Sequence, residues 1–214
     1  MITTRLRRRA AAAVLSLAAV LATTAATAPQ QPAKAAATAS AGAAATASAG
    51  AAAPACPQFD DPVKAAVDHR VDVDRITPEP VWRKTCGTLY RSDGRGPDVV
   101  FEQGFHPKDV VDGQYDIEKY VLVNQPSPYV STSYDHDLYK TWWKAGYNYY
   151  IDAPGGVDVN RTIGDTHKWA DQVEVAFPGG IAREYVIGVC PVDKKTKVEI
   201  MSDCESNPHY EPWH

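Results

Sequence analysis

The sequence lacks several patterns that would place it in a common functional class. No Cys-x2-Cys or His-x3-His pair occurs, which argues against a zinc site. No Gly-x-Gly-x-x-Gly motif follows a predicted strand, so a Rossmann nucleotide site is not expected. The chain also has no excess of basic residues, since 22 lysines and arginines face 26 aspartates and glutamates. Bulk electrostatics therefore cannot hold a nucleic acid, and any such contact must be local.

The N-terminal segment has the composition of a secretory signal peptide. Four arginines lie within the first nine residues, and a small, apolar run from Ala10 to Ala28 follows them. The run is rich in alanine and threonine and lies at the extreme N-terminus, so a transmembrane helix is the weaker interpretation. Two Ala-x-Ala sites end at Ala28 and Ala35. Pro29 disfavours the first cut, so residues 1–35 are the expected signal peptide.

A low-complexity segment follows the expected signal peptide. The octapeptide Thr-Ala-Ser-Ala-Gly-Ala-Ala-Ala occurs twice in succession over residues 38–53. The repeat offers no apolar face to bury, so residues 36–54 are predicted to be a flexible linker. Residues 55–214 are predicted to form a single catalytic domain. Removing residues 1–35 removes five basic residues and no acidic one, which takes the formal net charge from −4 to −9. The mature protein is therefore expected to be acidic.

All four cysteines lie beyond the expected signal peptide, at Cys56, Cys86, Cys190 and Cys204. In an oxidising compartment two disulfides are expected, and three pairings are possible. Cys56 with Cys86 and Cys190 with Cys204 are favoured because each pair closes a local loop. We expect a secreted, extracellular monomer with no membrane partner.

The order of predicted elements indicates an α+β domain, because helices dominate early and strands dominate late. Helices are predicted after the Asp61-Pro62 pair and at 98–103, 116–123 and 135–146. Strands are predicted at 88–91, 129–133, 147–151, 172–177, 183–189 and 197–201. The strands at 172–177 and 183–189 are predicted to form a hairpin around Pro178-Gly179-Gly180.

Three short segments carry the functional prediction. They are Leu89–Asp93, with an arginine at its centre, the Ser-Thr-Ser strand at 129–133, and Gln172-Val173-Glu174-Val175. Each segment is predicted to be a short strand, and because strand side chains alternate, Gln172 and Glu174 are expected to share one face. The order of these segments is an arginine, then a Ser-Thr-Ser strand, then a Gln-x-Glu strand. This order resembles the three-part pattern of mono-ADP-ribosyltransferases.

From residue 82 to residue 189 the sequence is similar to the pierisin-like, DNA-targeting subgroup of that family. The resemblance implies two packed, antiparallel-rich sheets that form an NAD cleft, with helices on the N-terminal side and no metal. NAD would be the substrate that donates ADP-ribose, and guanine in DNA, nucleosides or nucleotides would be the acceptor. Pierisin carries lectin repeats, and this chain has none.

The NAD-binding residues are expected around Arg91. A pyrophosphate needs planar, paired donors, which arginine supplies and lysine does not. The resemblance implies that Arg91 binds NAD and that Asp93 and Arg95 brace the loop or the adenosine end. Asn124 and Thr132 complete the expected NAD-binding set.

Ser131 and Glu174 are the expected catalytic pair, with Gln172 beside them. Loss of nicotinamide leaves an oxocarbenium-like ribose, which a carboxylate bonded to the 2'-hydroxyl stabilises as positive charge develops. Glu174 is predicted to be this carboxylate. The resemblance makes Ser131 the serine that orients it.

Acceptor choice is predicted to depend on Gln172 and on nearby aromatic residues. A neutral amide does not attract a guanidinium as a glutamate would, but it suits an amide or a base edge. Trp169 and Trp142 are candidates to stack on a flat base, and Lys144 to meet a phosphate locally. The alternative is that all three tryptophans pack in the protein interior and bind nothing. At least one of the adjacent residues Trp142 and Trp143 is expected in the core.

Two other functions fit parts of the sequence. The acceptor can instead be an amide side chain of a host protein, or water, which would make the protein an NAD glycohydrolase. A secreted carbohydrate-binding module would use the tryptophans to stack on sugars, but it leaves Arg91, Ser131 and Glu174 without a shared role.

Overall fold

The computed structural model describes residues 56–214. The predicted signal peptide and the linker lie outside these residues. Within them, no helix is long and apolar enough to cross a membrane.

A single antiparallel sheet of seven strands forms the centre of the domain, with the strand order β4-β5-β2-β1-β3-β6-β7. The strands are β1 Leu89–Asp93, β2 Tyr129–Ser133, β3 Tyr147–Ile151, β4 Val157–Asp158, β5 Glu174–Pro178, β6 Val186–Pro191 and β7 Glu205–Ser206. The predicted α+β class is confirmed, because three short helices accompany this sheet.

Two of the three helices begin at an aspartate cap. The helices are α1 Pro97–Gln103, α2 Ile117–Val123 and α3 Val159–Ile163. Helix α1 begins at Pro97 without a side-chain cap. Asp116 caps α2 by accepting a 3.0 Å hydrogen bond from the Lys119 backbone N–H, and Asp158 caps α3 in the same way. Asn124 ends α2 in the left-handed region, at φ 52°.

The expected two packed sheets are instead one continuous sheet, and the reason lies between β1 and β2. These strands pair at one position only, Tyr90 with Ser133, whereas β1 pairs with β3 along its whole length. From Arg91 to Asp93, β1 has no partner in β2. The sheet therefore opens at this point, and the opening forms a cleft between two halves that remain connected.

Two apolar clusters cover opposite faces of the sheet. Along β5, Val175 and Phe177 belong to the cluster that packs against α1, whereas Ala176 belongs to the cluster that includes residues of α2 and α3. Ser131 pairs directly with Ala176 and therefore shares its face. The alternation places Glu174 on this same face, towards α2.

Several local predictions were wrong. Residues after Asp61 form turns, and the predicted helix after Asp135 is two 3-10 turns, His136–Lys140 and Trp143–Ala145. The predicted hairpin of β5 and β6 does not form, because β5 pairs with β2 and β4 and β6 pairs with β3 and β7. Residues 197–201 contain one isolated bridge at Glu199, not a strand.

Both predicted disulfides are confirmed. Cys56 pairs with Cys86 and Cys190 pairs with Cys204, with Cα atoms 5.5 and 4.1 Å apart. The second bridge closes the segment that leads from the end of β6 to β7.

Candidate active site

A cleft formed by three adjoining cavities lies where the sheet opens, and Ser131 lines all three. The first cavity, of about 230 Å³, contains Glu174 together with Tyr120. The second, of about 320 Å³, is lined by Arg91 and Arg95 among others. The third, of about 150 Å³, shares Arg91 with the second cavity and Trp142 with the first. The cleft is large enough in total for an extended, dinucleotide-sized ligand.

Glu174 is a buried carboxylate at the start of β5, where it pairs across the strands with Ser133. Its burial raises the pKa of the carboxyl group because the charged form loses hydration. The hydroxyls of Ser131 and Tyr120 and the charge of Arg91 act in the opposite direction and favour the carboxylate. The site thus holds one acid in a weakly solvated environment with three groups that stabilise its ionised form.

Tyr120 was not predicted, and it makes the direct contact with the acid. Its hydroxyl donates a 2.8 Å hydrogen bond to Oε1 of Glu174. Desolvation and the charge of Glu174 raise the pKa of Tyr120 well above its usual value, so this hydroxyl stays protonated and remains a donor. Its ring packs on Tyr129, with centroids 4.8 Å apart. The sequence offered one indication of this tyrosine, its position three residues after the start of α2.

Arg91 crosses the opening between β1 and β2. Its Nη1 donates a 2.6 Å hydrogen bond to the Ser131 carbonyl, and its Nε and Nη2 lie 2.9 and 2.8 Å from one oxygen of Asp93. Its guanidinium also lies 5.2 Å from the ring centroid of Phe105. Arg91 is therefore held in place by groups on both sides of the cleft.

Asp93 joins the two arginines. It is buried, and burial alone would raise its pKa, but hydrogen bonds from Arg95 and the charges of Arg91 and Arg95 hold the pKa far below its usual range. The Nε of Arg95 donates to Oδ1 of Asp93 at 2.9 Å. Two cations share one anion, which leaves net positive charge at this end of the cleft.

The three residues of the Ser-Thr-Ser strand have different surroundings. Ser131 lies beside Glu174, as predicted. Thr132 is buried, and its hydroxyl donates to the Val175 carbonyl at 2.8 Å, so this group is engaged within the sheet. The hydroxyl of Ser133 donates to the Gln172 carbonyl at 2.7 Å. Ser133 therefore fixes the turn before Glu174, a role that the sequence did not reveal.

Gln172 is not on the strand that was predicted for it. It ends the 3-10 turn Ala170–Gln172, and Val173 has a left-handed backbone with φ 40°. This reversal breaks the alternation that was used to place Gln172 and Glu174 on one face. Both residues nevertheless line the first cavity. A β-branched residue in this conformation is strained, and strain of this kind concentrates at functional sites.

The three tryptophans near the cleft are not in the core. Trp142 and Trp169 are 47% and 38% exposed and line the first cavity, whereas Trp143 is half-buried. The expectation that one of the adjacent pair is in the core was wrong, because the residues lie on a short 3-10 turn. Lys144 is exposed, and its Nζ lies 5.6 Å from the Trp143 ring centroid, not in the cavities.

Asn124 lines both of the larger cavities at the end of α2. Its Oδ1 is 3.5 Å from the Nζ of Lys108. The left-handed backbone at this residue directs the chain from α2 along the cleft. The structure thus brings Asn124 to the cavity shared with Arg91 and Ser131.

Two further interactions fix the segments that carry the exposed tryptophans. The Nδ2 of Asn160 donates to the Ala170 carbonyl at 2.9 Å, next to Trp169. His136, on the turn before Trp142, lies 3.1 Å from a carboxylate oxygen of Glu199. In residues 56–214 no group of three or more His, Cys, Asp or Glu side chains is placed to hold a metal ion.

Comparison with known proteins is decisive for the family. The Scabin-like family model matches residues 89–210, which include all three segments of the cleft. The chain belongs to the Scabin-like family. A guanine-specific ADP-ribosyltransferase of Streptomyces coelicolor is 78% identical to this Scabin-like protein over all 214 residues, and the match covers the whole of both chains.

Other relatives agree with this membership. Pierisin of Pieris brassicae is 38% identical over 110 residues, which is 46% of this Scabin-like protein and 13% of pierisin. The structure of the Scabin toxin from Streptomyces scabies in complex with NADH is 84% identical, with a TM-score of 0.76. That match covers 77% of this chain and 99% of the Scabin chain. The family and the single α+β domain predicted from the sequence are therefore confirmed.

Proposed function

We propose that this protein transfers the ADP-ribosyl group of NAD to a guanine base and hydrolyses NAD as a side reaction. The observation that carries the proposal is the buried carboxylate of Glu174, which accepts a hydrogen bond from the Tyr120 hydroxyl and lines a cavity of the cleft together with Ser131. The relatives with a known acceptor or ligand support it, since one is guanine-specific and another binds NADH.

Glu174 and Ser131 are the proposed catalytic residues, with Gln172 at the acceptor side. The bond between nicotinamide nitrogen and ribose C1' breaks, and its electron pair leaves with nicotinamide. Glu174, as the ionised carboxylate, accepts a hydrogen bond from the ribose 2'-hydroxyl, and this bond strengthens as positive charge develops on the ribose. Because little water reaches Glu174, this interaction is stronger than it would be at the surface.

NAD is proposed to lie along the cleft with its pyrophosphate at the arginine end. Arg91 and Arg95 share one buried carboxylate, so each keeps donors available for a dianionic group. Asn124 lies between this end and Glu174. Thr132 supports the strand beneath the cleft through its bond to Val175.

The acceptor is proposed to enter beside Gln172. Trp169 and Trp142 line the same cavity and expose flat surfaces on which a base can stack. The neutral amide of Gln172 can both donate to and accept from the edge of guanine. The exocyclic nitrogen of guanine then bonds to ribose C1' and releases one proton to solvent. Water in place of guanine gives free ADP-ribose.

A test is to incubate the protein with NAD and, separately, guanosine, DNA, RNA or a protein acceptor, and to identify products by mass spectrometry. The proposal predicts nicotinamide release in every tube and an ADP-ribosyl adduct with guanosine or with guanine-containing nucleic acid. An adduct on the protein acceptor alone would indicate an amide target. Absence of nicotinamide in all tubes would contradict the enzymatic proposal.

The chain is proposed to act outside the cell that makes it, with residues 1–35 removed, 36–54 as a linker and 55–214 as the catalytic domain. The two disulfides support exposure to an oxidising compartment. N-terminal sequencing of the exported protein tests this, with Ala36 as the expected first residue. Retention of full-length protein in the cytosol would contradict it.

A further inference from the structure

A cluster of lysines that includes Lys144 lies next to the cleft, outside its three cavities. It consists of Lys144, Lys194, Lys195 and Lys197, which are all exposed; the ammonium groups of Lys144 and Lys197 lie near the Trp143 ring. We call it the lysine patch. None of the four forms an ion pair with any residue between 56 and 214. In a chain whose net charge is negative, such a grouping is a local exception.

Contacts in the structure bring these lysines together, although Lys144 is distant in sequence from the other three. The Nζ atoms of Lys144 and Lys197 lie 5.6 and 5.3 Å from the Trp143 ring centroid. A Cβ atom at Gly146 would lie 3.9 Å from the Nζ of Lys194. The Val192 backbone N–H donates to the Gly146 carbonyl at 2.8 Å, which fixes one segment against the other.

Three of the lysines lie on a rigid loop between residues 193 and 198. The Asp193 N–H donates to the Val198 carbonyl at 2.9 Å, and the Lys197 N–H donates to the Asp193 carbonyl at 2.8 Å. The Asp193 carboxylate accepts hydrogen bonds from the backbone N–H groups of Lys195 and Thr196. The Cys190–Cys204 disulfide closes the segment that contains the loop. The lysines are therefore presented on a braced support.

Lys197 occupies a position that favours glycine. Its φ is 57°, in the left-handed region, where a side chain costs conformational energy. Two acids, Glu199 and Asp193, lie close to the loop, and other groups hold their carboxylates. Glu199 accepts from Asn148 and Tyr150 on the sheet, and the carboxylate of Asp193 is engaged by the backbone. The four lysines thus outnumber these two carboxylates.

We propose that the lysine patch binds the phosphodiester backbone of a nucleic-acid strand that flanks the guanine in the cleft. Trp142, which lines the cleft, precedes Trp143 at the centre of the patch, so the two sites are neighbours on the surface. Lysines next to an aromatic ring form the usual surface for single strands, and local cations compensate for the acidic remainder of the protein. The inference rests on the proposed function, because it extends the guanine acceptor to a strand.

The test compares acceptors that differ in phosphate. Transfer is measured with guanosine, which has none, and with thymidine oligodeoxynucleotides that contain one guanine, over a range of salt concentrations. For wild type, kcat/KM for the oligonucleotide should fall steeply with salt, whereas kcat/KM for guanosine should not. The Lys194→Ala, Lys197→Ala double variant should lose several-fold in oligonucleotide transfer at low salt. The magnitude of the slope of log kcat/KM against log salt concentration should fall by about 1.4, which is about 0.7 for each lysine lost on a single strand.

Two variants serve as controls. Lys64 and Lys84 are exposed and line none of the three cavities of the cleft, so Lys64→Ala, Lys84→Ala removes the same charge elsewhere and should leave the slope unchanged. Lys197→Gly removes one charge at a position where glycine is favoured, so loss of folding cannot explain its effect. Guanosine transfer and NAD hydrolysis should stay at the wild-type rate in all of these variants.

Equal losses with guanosine and the oligonucleotide, or the same slope change in the Lys64 and Lys84 variant, would overturn the inference. Binding of a labelled, guanine-free oligonucleotide, measured by fluorescence anisotropy, tests the lysine patch independently of the proposed transfer reaction. Salt-dependent binding that weakens with Lys194→Ala, Lys197→Ala supports the patch even if guanosine is never modified. A parallel RNA oligonucleotide shows whether the sugar matters, and equal binding is expected for a backbone contact.

Discussion

The hydroxyl of Tyr120 donates a 2.8 Å hydrogen bond to Oε1 of Glu174, 54 residues away in the sequence. The bond connects α2 to the first residue of β5 and fixes the carboxylate of the cleft. Burial raises the pKa of Glu174, and the hydroxyls of Ser131 and Tyr120 and the charge of Arg91 counteract that effect. The balance between burial and these three stabilising groups determines the pH at which the Glu174 carboxylate is ionised.

Replacement of Glu174 by glutamine should reduce both guanosine transfer and NAD hydrolysis by on the order of 10² to 10³-fold, because transition-state stabilisation is lost. The folded state holds the Glu174 proton more tightly than the unfolded chain does, so ionisation at neutral pH disfavours folding. Glu174→Gln should therefore melt no lower than wild type at neutral pH. The exposed Glu205→Gln is the matched control. Normal turnover in Glu174→Gln would remove this residue from catalysis.

Tyr120→Phe should move the acid limb of the kcat/KM profile for NAD to higher pH. The variant keeps the ring but loses a donor that favours the carboxylate, so the pKa of Glu174 rises further. Tyr129→Phe is the control, since that hydroxyl donates to the Tyr115 carbonyl instead. An acid limb that is unchanged in Tyr120→Phe would show that this bond does not set the ionisation of the acid.

Arg91→Ala should raise the KM for NAD about 10- to 100-fold, because the variant loses a hydrogen bond to a charged group of the substrate. Arg91→Lys keeps the charge but cannot span Asp93 and the Ser131 carbonyl together, so it should recover only part of the loss. The exposed Arg161→Ala should behave as wild type. An unchanged KM in Arg91→Ala would place NAD elsewhere.

Local sequence patterns predicted the parts of the cleft that depend on local structure. The Ser-Thr-Ser strand and the helix predicted at 116–123 are where the sequence indicated. The turn at Val173 was missed because a β-branched residue rarely adopts a left-handed backbone, and the pattern at 172–177 reads as an unbroken strand. The contact of Tyr120 with Glu174 depends on the packing of α2 on the sheet, which no local pattern encodes.

Trp169→Ala and Gln172→Ala should separate acceptor binding from NAD cleavage. Both side chains line the cavity of Glu174, yet neither residue contributes to the pKa shift of that acid. A stacked base is worth about 1 to 3 kcal/mol, so guanosine transfer by Trp169→Ala should fall roughly ten- to a hundredfold at limiting acceptor. NAD hydrolysis in the same preparation should change far less. Equal losses would mean that these residues serve NAD or the fold.

The most direct test of guanine as the acceptor compares guanosine with inosine, which lacks only the exocyclic amine. Each nucleoside is incubated with the protein and NAD, and nicotinamide and the nucleoside product are quantified by mass spectrometry. We predict that guanosine gains one ADP-ribosyl group, that inosine gains none, and that NAD hydrolysis continues in both samples. Equal modification of both nucleosides, or nicotinamide release with no adduct on guanosine, would contradict the account.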